Sequence, residues 1–162
     1  MVLLIECLIG IILFSLIVIP STIKDPVGWL GDYPPAIRER CIELGIIERR
    51  EQRLSKRELI KKILAVFILI GLLCFVLRKF NHADTFLKGF VNSYVIWLVI
   101  AWWDAPVIDC GFFCHSRKVI IPGTEGMKEY KDYMFHIKQS LLGSIIGLPV
   151  CLLVGLIISL WR

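Results

Sequence analysis

The sequence predicts an all-α polytopic membrane protein with four transmembrane helices in a bundle, and three observations carry that prediction. Hydrophobic residues make up 57% of the 162-residue chain, mean hydropathy is +0.73, and only 20% of residues are charged. Soluble domains are nearer half apolar and a quarter charged. The apolar excess is gathered into four runs of about 20 residues, the length a helix needs to cross a hydrocarbon core of ~30 Å. Lys and Arg are concentrated in two of the three connections between those runs. These features exclude a disordered chain, a nucleic-acid module and an ordinary soluble enzyme. They exclude a secreted disulfide scaffold too, because three of the six cysteines (Cys7, Cys74 and Cys151) lie inside apolar runs. The chain, 1–162, reads as a single integral membrane domain.

The first span covers 2–20 and is interrupted only by Glu6, which at about one turn from the end can snorkel outward. No basic residue precedes the run, and Ile19-Pro20-Ser21-Thr22 is a poor cleavage site, so the segment reads as a retained span and not a signal peptide. In the first connection, 21–60, Asp32-Tyr33-Pro34-Pro35 makes a turn and Ala36 to Leu44 is helix-compatible until Gly45. Gln52 to Lys62 reads as a solvated helical lead-in to the second span, 61–79. The third span, 90–112, carries Asp104 and Asp109. The connection 113–138 holds a polar helix expected from Met127, and the fourth span, 139–161, has no charged residue. Lys and Arg number ten in 20–62, five in the third connection, three in the second and one at the C-terminus, so fifteen of 19 fall on one side. The positive-inside bias then places both long connections in the cytoplasm and both termini outside, in a multi-pass cell-membrane protein. The net charge of +5 is thereby a topology signal, with the lipid bilayer as partner and no nucleic acid.

Ionisable groups inside a membrane are costly, at ~2.5–3.5 kcal/mol for an Asp at a helix centre, and are therefore informative. On an ideal α-helix Asp104 and Asp109 would be splayed by ~140°, but Pro106 between them removes a backbone hydrogen bond and makes that angle unreliable. Beyond them come Cys114, His115 and the loop Pro122-Gly123-Thr124-Glu125-Gly126, whose two glycines form a tight turn that aims Glu125. In the fourth span, steps of three or four residues from His136 give Ser140, Ser144, Gly147, Cys151 and Gly155, with Gly143 beside them. Such a small-residue stripe is how membrane helices approach closely. The third span is expected to pack there, bringing Asp104, Asp109, His115, Glu125, Tyr133 and His136 together.

Two chemistries fit that set. Asp104, Asp109 and His136 are candidate ligands for a divalent metal, Zn, Mn or Fe, whose preferred donors are these atoms. Without metal, Asp104, Asp109, His136, Glu125 and His115 are candidate catalytic groups for acid–base work. No metal-binding spacing such as His-Glu-x-x-His is present. Cys110 and Cys114 have three residues between them and do not make a Cys-x-x-Cys redox pair, so the cysteines read as small apolar filler.

The series Trp103-Asp104, Asp109, Cys114-His115, Gly123-Thr124-Glu125, Tyr133 and His136, with the Asp32-Tyr33-Pro34-Pro35 turn, resembles an uncharacterised family of small four-span membrane proteins from Gram-positive bacteria. That family has no established activity, so the resemblance implies the span count and carries over no substrate or catalytic residue. The expectation is a membrane-embedded, metal-dependent or acid–base enzyme acting on a lipid or other apolar substrate at the cytoplasmic side. The alternative is a non-enzymatic accessory subunit or transporter component in which the same cluster is structural. A homo-oligomer through the Gly143/Gly147 face is expected under either reading.

Overall fold

The computed structural model describes residues 1–48 and 56–161. The described residues are helical or irregular, with no strand. We label the helices α1 (Val2–Lys24), α2 (Pro35–Glu43), α3 (Lys56–Lys79), α4 (Phe86–Trp103) and α5 (Tyr133–Leu160). Four stretches are long and apolar enough to cross a membrane: Val2–Lys24, Leu59–Lys79, Phe86–His115 and Tyr133–Leu160. Each contains most of an expected span and is longer than it. On α1 and α3 large apolar side chains such as Leu16, Ile17, Phe67 and Ile68 are exposed. Helices apolar all round need an apolar surrounding, which lipid supplies. The lead-in expected over Gln52 to Lys62 is helical from Lys56, and its first part lies outside the described residues.

The chain divides into two compact units. The first comprises Met1–Ile11, Leu54–Ala101 and Leu142–Arg162. Its core gathers Cys7, Ile70, Cys74, Leu77, Ala83, Ile96, Val154 and Ile158. Ser144, Gly147, Cys151 and Gly155 are all buried, as the small-residue stripe requires, and α4 is what covers them. A Cβ on Gly155 would stand 2.8 Å from the Phe86 carbonyl oxygen and 3.0 Å from Phe90 Cβ, and one on Gly147 would collide with the Trp97 indole. The contact is also polar: Trp97 Nε1–H donates to the Gly143 carbonyl at 3.0 Å, and the Tyr94 hydroxyl to that of Ser144 at 3.3 Å. Gly147 is thus spent within the chain, which leaves Gly143, with open space beside it, as the free member of the pair expected to join two copies. Replacing Gly147 by Val should force α4 and α5 apart and cost about 3 kcal/mol, the upper end of overpacking penalties, read as a lower melting temperature of the detergent-solubilised protein.

Glu6 does not simply extend outward. Its Oε2 accepts a hydrogen bond from the Asn81 side-chain amide in the α3–α4 turn, and its Oε1 is buried without a partner. Sequence spacing could not find this, since the two residues are 75 apart.

The second unit comprises Ile12–Arg53 and Trp102–Leu141. Here the first and third connections share a core of Leu30, Tyr33, Ile37, Cys41, Phe113, Cys114, Val119, Ile121 and Tyr130. The expected helix after the double proline is α2, which starts with Pro35 in its first turn, where a missing N–H costs nothing. It stops at a left-handed Gly45 (φ +69), with Gly45 N–H bonded to Ile42 O and Ile46 N–H to Cys41 O, both at 3.0 Å. This double bond absorbs the carbonyls that the helix end would leave unpaired. The helix expected from Met127 is instead a 3₁₀ turn, Lys128–Lys131, followed by α5. Asp132 makes the break: its Oδ1 accepts the Phe135 N–H at 3.0 Å and caps the start of α5.

Candidate functional site

The backbone from Asp104 to Phe112 winds as a nine-residue π-helix. Pro106 sits inside it and has no N–H for an ordinary α-helical bond. A π-helix bonds each residue to the fifth one on, so residues at that spacing lie nearly over one another. Asp104 and Asp109 have that spacing, and the splay of an ideal α-helix is corrected to a shared face. Segments of this kind are rare and occur often at functional sites.

Asp109 meets the start of α5. His136 Nδ1 lies 3.1 Å from Asp109 Oδ2, with the His136 side chain 3% exposed and that of Asp109 23% exposed. Two aromatic rings present themselves edge to face with the imidazole: Phe113, with centroids 5.4 Å apart, and Phe135, at 5.3 Å. A carboxylate accepts only, so in the neutral imidazole Nδ1–H donating to Asp109 leaves Nε2 as the lone-pair nitrogen. That Nε2 is buried and has no hydrogen-bond partner. Buried polar groups are nearly always paired, and one that is not calls for an explanation.

Asp104 has Asp109, Asp32 and His136 as its charged neighbours. Asp32, which the sequence marks only as part of a turn, is thus a further carboxylate whose charge acts on Asp104. No local signal marks it, because the interaction is between a residue of the first connection and one of the third span.

His115 and Tyr133 form a second pair, on the exposed side. His115 Nε2 is 3.2 Å from the Tyr133 hydroxyl, the rings stack with centroids 6.0 Å apart, and His115 Nδ1 lies 2.9 Å from the Cys110 carbonyl oxygen. Glu125 stands elsewhere. Its Oε2 accepts the Gly123 N–H at 2.8 Å, which closes the turn that Gly123 (φ +87) and Gly126 (φ +79) permit. The glycines do aim the carboxylate, but at their own backbone. Thr124, beside it, points inward: its hydroxyl reaches Tyr130 OH and the Ile121 carbonyl, both at 2.7 Å, while Tyr130 OH accepts the Ile121 N–H at 3.0 Å. Burial pushes the Tyr33 and Tyr130 phenols and the Cys41 thiol above their usual ranges, so all three stay neutral at ordinary pH.

A metal ion needs at least three converging donors. Among the described residues no group of three His, Cys, Asp or Glu side chains is placed to hold one. Of the residues expected as metal ligands, Asp104, Asp109 and His136, the last two have their facing atoms on each other. All six cysteines are unbridged, and all but Cys110 are buried, in keeping with a filler role.

No protein-family model, curated protein or solved structure matches the chain.

Proposed function

We propose that this chain is a multi-pass cell-membrane enzyme whose Asp109–His136 pair does general acid–base chemistry on a lipid or other apolar substrate. The observation that carries the reading is the buried, unpartnered Nε2 of His136. Asp109 fixes the ring and its tautomer, and Nε2 is then the nitrogen free to take a proton from a hydroxyl group or a water molecule. As the proton arrives, Asp109 stabilises the imidazolium. His115 and Tyr133, half a site away and exposed, serve at the entrance, and Glu125 has no part. In this reading both long connections face the cytoplasm and both termini lie outside.

The test is turnover by the purified chain in liposomes of mixed phospholipid and neutral lipid, followed by lipid mass spectrometry. Wild type should convert one lipid class. His136→Gln should lose the conversion, and Asp109→Asn should slow it by up to about 10⁴, the worth of a carboxylate that orients a catalytic imidazole. Full conversion by His136→Gln would sink the proposal.

A second reading has its own observation. The pair is enclosed between the rings of Phe113 and Phe135, which suits a polar fastener in a non-enzymatic accessory subunit. On that reading no lipid changes, and the variants differ only in melting temperature.

A further inference from the structure

At the far end of α3, within the first unit, an open cleft of about 330 Å³ is lined by Phe75, Arg78, Lys79, His82 and Trp161. None of these residues belongs to the Asp109–His136 site. The lining divides by chemistry. Phe75 and Trp161 are apolar surfaces on stretches long and apolar enough to cross a membrane or at their edge, while Arg78, Lys79 and His82 cluster where α3 ends and the short turn to α4 begins. We propose that this cleft binds the phosphodiester headgroup of an anionic phospholipid, with the lipid's upper acyl region lying along Phe75 and Trp161.

The Arg78 guanidinium is held in place. Arg78 Nη1 donates to the Ala83 carbonyl at 3.2 Å, across the turn, which fixes the guanidinium and leaves its other N–H groups for a ligand. His82 adopts a left-handed backbone (φ +51), uncommon outside glycine, and it lies between Asn81, held by Glu6, and the buried Ala83. Asp84 is an acidic competitor for Arg78, but its carboxylate is engaged by Lys88 Nζ at 2.8 Å. An interfacial Trp beside Lys and Arg is the general composition of sites that read headgroups at a membrane edge. Phosphate is the shared chemistry, and the apolar pair decides for the lipid over free phosphate.

Native mass spectrometry of the detergent-purified full chain, titrated with phosphatidylglycerol, with phosphatidylcholine, or with inorganic phosphate as competitor, tests this. Wild type should take up one phosphatidylglycerol saturably and much less phosphatidylcholine. Two basic groups near an anionic lipid are together worth about thirtyfold in affinity. The Arg78→Gln/Lys79→Gln variant should bind that much more weakly. Because Arg78 also ties the turn, Lys79→Gln/His82→Asn is the second variant; it spares the Ala83 bond, Asn tolerates the left-handed backbone, and it too should weaken binding. Equal uptake of both lipids, or unchanged binding in both variants, would overturn the proposal. Displacement by inorganic phosphate at concentrations comparable to the lipid would overturn the lipid source.

Discussion

Replacing Tyr33 by Ala should unfold the second unit. Tyr33 is 2% exposed, and its hydroxyl donates to the Val119 carbonyl at 2.8 Å. Its ring meets Phe113 edge to face, with centroids 4.6 Å apart and planes at 73°, and Tyr130 at 6.0 Å. Truncation of a buried aromatic costs about 3–5 kcal/mol, because the cavity closes only in part. The stranded Val119 carbonyl adds about 1–3 kcal/mol. The sum approaches the stability of a small domain. Tyr33→Phe separates the two contributions: it keeps the ring and loses the hydrogen bond, for a cost of about 1–2 kcal/mol. Limited proteolysis of the first and third connections measures both. Cleavage of Tyr33→Ala at the wild-type rate would mean that the two connections do not depend on this core.

Loss of His136 should be nearly as damaging. His136→Ala removes the hydrogen bond between His136 Nδ1 and Asp109 Oδ2 and leaves that carboxylate with Asp104 as a charged neighbour. Removing one member of a buried pair costs about 3–5 kcal/mol, and the partial exposure of Asp109 puts this case at the lower end. Asp109→Asn should retain most of the stability, since an amide oxygen still accepts from Nδ1–H. Thermal melting in detergent reads both variants. An Asn variant as unstable as His136→Ala would mean that the pair is ionic, with the imidazole already protonated. The acid–base proposal needs the other result, a stable Asp109→Asn chain that has lost activity.

The two experiments probe parts of the molecule that differ in how far they could be read in advance. Span count and rough limits follow from local sums, because a membrane helix satisfies its own backbone and announces itself by a run of apolar residues. The stripe from Ser140 to Gly155 was legible for a similar reason: helical periodicity puts these residues on one face, and small side chains there serve close packing. Gly45 marked its helix end because a left-handed cap favours the one residue without a Cβ.

Of the candidate site, the meeting of Asp109 with His136 was legible in the sequence, and its geometry was not. Asp104, Asp109 and His136 stand out as ionisable groups where ionisation is expensive. Their arrangement depends on the π-helical winding, which a single proline does not specify, since proline can equally kink or end a helix. Glu125 shows the opposite failure. Its flanking glycines marked a tight turn correctly, but a carboxylate in such a turn can be consumed by the turn's own N–H groups, and here it is. Asp132 carried a readable cap signal, an Asp just before an apolar helix, and it divides the 3₁₀ turn from α5.

Composition and periodicity by themselves determined an all-α chain with four helices able to cross a membrane and a small-residue face on the last of them. These properties are sums over neighbouring residues. Tertiary structure alone decided how Asp109 pairs with His136, that Glu6 meets Asn81, and that Tyr33 holds the two long connections together. Each of these contacts joins residues far apart in the chain, and their energies depend on distance and burial, which no local pattern of residues encodes.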